Sequence, residues 1–125
     1  LFNTTGGELA IEHGIDELHR IESAVLLGRL AAQTPSVISA AAWIVEDARC
    51  RDALAKRACV AVLQAPVEVI MQRIATGEHR RAMDRAELTA LYERRAPLFE
   101  AVADLTLDAT KPSPDLVATV LGRLA

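Results

Sequence analysis

Residues 92–110 read YERRAPLFEAVADLTLDAT, a helical stretch that gives way near Ala103 to a short strand, Leu105–Asp108. Just upstream, Asp84 followed three residues later by Glu87 has the spacing of a capping box and predicts a helix running from there to about Ala103. Downstream, Ser113-Pro114-Asp115 opens a last helix with Val117, Val120, Leu121 and Leu124 on one face, and Ser113 suits its N-cap. Helix, short strand and helix in that order are part of an alternation of strands and helices that argues for parallel β-α-β units.

The same alternation extends towards the N-terminus. Ile15, Leu18, Ile21, Val25, Leu26 and Leu30 follow helical spacing until Gln33-Thr34-Pro35 ends the helix near Ala32. Ser36–Ala42 (SVISAAA) reads as a buried strand with β-branched Val37 and Ile38, and 46–57 as a helix. Cys59–Leu63 (CVAVL) reads as another strand, and Pro66 opens a helix to about Ala75. Thr76–Met83 (TGEHRRAM) breaks the apolar period and reads as an exposed loop carrying Arg80 and Arg81. Residues 1–125 form one expected domain, with strands near 36–41, 59–63 and 105–108.

Composition narrows the function. The 125 residues carry 14 basic and 17 acidic side chains, a net charge of −3, which argues against a nucleic-acid partner. A hydrophobic content of 51% with 25% charge excludes a disordered chain. No apolar run approaches the ~20 residues that span a bilayer, and the N-terminus lacks the plan of a signal peptide. A cytoplasmic protein with free thiols at Cys50 and Cys59 is expected. His13, His19 and His79 have no metal-ligand spacing with the cysteines. Leu1 stands where an initiator Met would, so a chain that has been processed, trimmed or cut from something longer is expected.

Four stretches resemble the shikimate kinase family over about residues 15–125. DELHRIESAVL (Asp16–Leu26) resembles its FRxxE helix. VISAAAWIVEDARCRDAL (Val37–Leu54) resembles its strand, triple-glycine turn and RxxL. HRRAM (His79–Met83) resembles its lid, and Tyr92–Thr110 its RxPLYxxxA segment with the strand that follows. The resemblance implies a three-layer αβα P-loop kinase fold with a parallel sheet, incomplete at the N-terminus. It also implies transfer of the γ-phosphoryl of ATP to a hydroxyl of a small carboxylate ring.

By the same resemblance, Arg81 (or Arg80) matches the lid arginine and takes the catalytic role. Arg95 matches the arginine that grips the substrate carboxylate, and Arg20 and Glu22 complete the substrate side. Arg73, Lys111, Ser113 and Pro114 match nucleotide-contacting positions. The departures are as specific. The family's helix arginine falls at His19, with Arg20 one place later. The triple glycine becomes Ala41-Ala42-Trp43, or Ala40–Ala42 in the adjacent register, and the lid proline becomes Ala82. The sequence holds no G-x-x-x-x-G-K-S/T phosphate cradle. ATP and Mg²⁺ are therefore expected only if such a loop is supplied from upstream.

Each site residue has a plainer reading. Arg95 could be an exposed helix arginine paired with Glu93 or Asp84, Arg80 and Arg81 solvated loop charges, and His19 a helix-surface residue. Trp43 could be core and Ser113 only an N-cap. Two functions follow. One is a truncated or degenerate phosphotransferase, inactive as this chain alone. The other is a non-catalytic module for a small carboxylate effector or for assembly, such as the effector domain of a regulator. Unpaired sheet edges would favour a homo-oligomer.

Overall fold

Local chemistry delimits most of the helices in the computed structural model of the chain, which describes residues 13–76 and 83–125. Helix α1 (Ile15–Ala31) follows Gly14, whose φ of 87° lies in the left-handed region that glycine tolerates. A 3₁₀ turn (Ala42–Glu46) leads into α2 (Ala48–Arg57), and Asp47 between them is the N-cap, accepting from Arg49 N at 2.9 Å. Helix α3 (Val67–Thr76) starts after Pro66, whose carbonyl accepts from the N–H groups of Val69 and Ile70. At α4 (Arg85–Val102), Asp84 Oδ1 accepts from Glu87 N at 2.7 Å, as the capping-box spacing predicts. Pro97 lies inside α4 and removes the N–H that would bond the carbonyl of Glu93, and both residues are exposed. Helix α5 spans Ser113–Leu124. Its N-cap is Pro112 and not Ser113, because the Pro112 carbonyl accepts from Asp115 and Leu116.

Strands β1 (Ala61–Gln64) and β2 (Leu105–Asp108) pair in parallel, from Ala61 opposite Leu105 to Gln64 opposite Asp108. The first begins two residues later than expected. Val60 at its entrance donates its N–H to Asp104 Oδ2 at 2.7 Å, and its carbonyl accepts from Asp104 and Leu105. The expected strand at 36–41 is a correction: residues 33–41 are exposed throughout, with Val37 wholly so, and form no strand. Apolar, β-branched composition favours a strand only where a neighbour satisfies its backbone groups, and the described residues supply none there. The described residues thus form an α/β fold of five helices and a two-stranded parallel sheet, an incomplete αβα arrangement.

The core joins Leu26 and Leu30 of α1, Ile44 and Val45 of the 3₁₀ turn, Cys50 and Leu54 of α2, and Val102 of α4. Each buried Leu, Ile or Val contributes about 1.5–3 kcal/mol. Ile44 and Val45 wedge the turn among three helices, which fixes the residues on either side of them, Trp43 and Glu46. Cys50 is buried and Cys59 exposed, both as free thiols. The apolar face expected on α5 is present, but Val117, Leu121 and Leu124 remain more than half exposed. No helix among the described residues is long and apolar enough to cross a membrane.

Candidate functional site

Two groups of residues hold the expected site positions. The first is built where α1, the 3₁₀ turn and α4 meet. Arg95 of α4 donates from Nε to Glu46 Oε2 at 2.7 Å, with its side chain only 14% exposed. Arg94, next along the helix and largely exposed, places Nη2 3.2 Å from the same carboxylate. Burial opposes ionisation of Glu46, but the hydrogen bonds from Arg95 and Arg94 together hold its carboxyl below the ordinary range. Arg95 Nη1 and Nη2 make no hydrogen bond with a described residue. That terminal edge is one that a carboxylate can engage with two parallel bonds.

Around this guanidinium stand Glu22 and His19 of α1. Glu22 Oε2 is buried without a hydrogen-bond partner among the described residues. Burial pushes its carboxyl up, and the nearby charge of Arg95 pulls it partly back. His19 stacks on Trp43, with ring centroids 4.0 Å apart and planes within 10°. Burial, then the charge of Arg95, holds the imidazole below its ordinary range, which favours the neutral ring.

Arg20 is placed elsewhere. It donates to Glu17 at 2.9 and 2.5 Å on the exposed side of α1, an i,i+3 pair. Its neighbour His19 is the residue turned to the Arg95 group. Arg95 is neither exposed nor paired with Glu93 or Asp84, since its partner lies 49 residues away. Arg81 and Arg80 lie outside the described residues. Sequence reasoning missed Glu46 and Arg94, and it took His19 and Trp43 singly. The one cue for Glu46 was that it ends the apolar run AAWIV, followed by a second carboxylate at Asp47.

The second group sits at the carboxyl ends of both strands, where open α/β sheets bind ligands. Ala109 donates its N–H to the carbonyl of Gln64 at 2.7 Å and accepts from Arg73 Nη2 at 2.8 Å. Asp108 tightens the turn by accepting from Thr110 N at 2.9 Å and Oγ1 at 2.5 Å, and its carbonyl accepts from Lys111 N at 3.1 Å. The structure therefore brings Arg73 to the turn bearing Lys111, which leads into Ser113 and Pro114 at the start of α5, all exposed. Two cations, Arg73 and Lys111, thus flank an exposed turn that is pinned at its base. Among the described residues no group of three His, Cys, Asp or Glu could hold a metal ion, so no protein ligand set for Mg²⁺ is identified there. An open groove of about 360 Å³ between the sheet and α4, lined by Val62, Gln64, Ala96, Phe99, Glu100 and Thr106, holds none of the expected site residues.

Comparison with known proteins agrees on one relationship. A family model described as "Shikimate kinase" matches residues 2–125. A shikimate kinase of Aromatoleum aromaticum is 30% identical over 93 residues, 71% of this chain and 53% of that protein. One from Lactococcus lactis is 31% identical over 107 residues, covering 83% and 65%. One from Xanthomonas euvesicatoria is 31% identical over 119 residues, covering 91% and 66%. The chain thus spans between about half and two-thirds of the length of these relatives.

Proposed function

Because the chain belongs to the shikimate kinase family, we propose that it supplies the acceptor-binding and adenine-contacting parts of a phosphotransferase site, which moves the γ-phosphoryl group of ATP to a hydroxyl of a small carboxylate such as shikimate. When bound, ATP supplies that group, and Mg²⁺ neutralises charge on the phosphates. Arg95 binds the acceptor carboxylate through its terminal edge, and Glu22 stands beside it on the substrate side. Arg73, Lys111, Ser113 and Pro114 bear on the nucleotide, and Arg81 is assigned the lid contact. The observation that carries the reading is Arg95, a largely buried guanidinium held by Glu46 with its terminal nitrogens bonded to no described residue.

The 125 residues contain no G-x-x-x-x-G-K-S/T segment, and as this polypeptide alone they do not transfer phosphate, for want of donors that offset charge in the transition state. Purified chain is expected to give no ADP above blank in a coupled assay, yet to bind shikimate saturably, reported by the single tryptophan, Trp43. Robust turnover would overturn the first half and unchanged fluorescence with no calorimetric heat the second.

A second reading draws on the glycine turn. Ala41-Ala42-Trp43 stand in its place, and Trp43 stacks on His19. That filling favours a non-catalytic, cytoplasmic module that binds a carboxylate effector or assembles with its own copies through open sheet edges. A longer natural polypeptide bearing the phosphate loop, yet unable to phosphorylate shikimate while still binding it, would decide for this reading.

A further inference from the structure

Arg95 has two edges that can meet a carboxylate, and the structure commits only one. Its Nε is bonded to Glu46 at 2.7 Å, while Nη1 and Nη2 bond to no described residue. A second internal carboxylate feels the charge of Arg95: Glu22, whose Oε2 is buried and has no hydrogen-bond partner among the described residues. A mostly buried guanidinium beside an unsatisfied carboxylate oxygen would ordinarily turn to it, because an orphaned buried acceptor is costly. The structure does not show that collapse. What opposes it is Glu46, held by two arginines and carried on a turn wedged into the core by Ile44 and Val45.

We infer that Glu46 is a positioning residue for carboxylate capture: by taking Arg95 Nε it keeps the terminal Nη1/Nη2 edge from closing on Glu22 and leaves it open to the ligand. The inference rests on the reading that Arg95 binds a small carboxylate. The titratable and charged groups concerned are Glu46, Arg94, Arg95, Glu22 and His19, from the turn, α4 and α1. Glu46 does not touch the ligand. Its effect passes through the orientation of Arg95, so the geometry of its oxygen matters more than its charge.

The test uses the 125-residue chain with shikimate as the probe, followed by Trp43 fluorescence and by calorimetry. Three variants separate geometry from charge. Glu46→Ala removes the anchor and is expected to weaken shikimate binding by about tenfold or more. Glu46→Gln keeps an oxygen at the same reach and is expected to stay within about threefold of the parent. Glu46→Asp keeps the charge but shortens the arm, and is expected to behave like alanine, which preserves the test should the alanine variant fold poorly. A ligand-free readout accompanies them: carboxyl-resolved NMR should show Glu22 titrating at lower pH in the alanine and aspartate variants, as Arg95 turns to it.

Equal affinity in all variants with an unmoved Glu22 titration would overturn the inference and leave the Arg95 reading standing. Tighter binding in Glu46→Ala would also overturn it, by making Glu46 a competitor for Arg95. No saturable shikimate binding by the parent chain would remove the carboxylate reading and this inference with it.

Discussion

Replacing Asp47 with alanine should loosen the joint on which the Arg95 group depends. Asp47 ends the 3₁₀ turn and caps α2, accepting from Arg49 N at 2.9 Å and lying 3.1 Å from Arg49 Nη2. The Arg49 side chain and, after it, the Arg49 backbone N–H hold the Asp47 carboxyl at about 2, against an ordinary 3.8. At about 1.36 kcal/mol per pH unit, that difference corresponds to ~2.4 kcal/mol. Arg49 is 74% exposed, and solvent screening reduces its share to leave about 1–2 kcal/mol at pH 7. The value agrees with the usual cost of losing an Asp N-cap, which is the same interaction and is not added to it. For a domain of this size the melting temperature should fall by about 3–10 °C. The pH dependence has a definite sign. The folded-state value lies below the unfolded one, so the stabilisation is complete above about pH 4 and is lost as pH falls towards 2. Thermal melts followed by circular dichroism at pH 7, 4 and 2.5 would show the gap between parent and Asp47→Ala narrowing on acidification. A gap below about 1 °C at pH 7, or one unchanged down to pH 2.5, would refute the reasoning.

Three further outcomes are expected. In a longer polypeptide that includes the phosphate loop, Arg95→Ala should mainly raise KM and Arg81→Ala mainly lower kcat, each by roughly 10- to 150-fold, in steady-state kinetics; changes under about threefold in both would remove the carboxylate role from Arg95 and the lid role from Arg81. Arg73→Ala frees the Ala109 carbonyl and should weaken binding of an ATP analogue by about tenfold in calorimetry, with shikimate affinity unaltered. Cys59 should react with a thiol reagent in the native chain and Cys50 only on unfolding, since Cys50 is fully buried and burial pushes its thiol up; two fast thiols in the folded protein would contradict that packing.

Local grammar determined much of this protein from sequence alone. Helix limits near Asp84, Ala103 and Ser113 follow from capping and proline chemistry that acts over three or four residues. Strand β2 lies where the short strand Leu105–Asp108 was expected, and the stretch YERRAPLF already pointed to the family and to Arg95. The Arg20–Glu17 pair was equally within reach, because an i,i+3 spacing on a helix is a local fact.

Only the tertiary structure decided the rest, because those features depend on contacts between distant residues. A strand requires a neighbour, so SVISAAA has the composition of one and yet forms none among the described residues. The stacking of His19 on Trp43 joins α1 to a turn more than twenty positions away. Glu46 meets Arg95 across 49 residues because Ile44 and Val45 are buried between three helices. Nothing in the spacing of AAWIVE encodes that meeting; the burial of the turn brings the carboxylate to the guanidinium and sets which of its edges remains free.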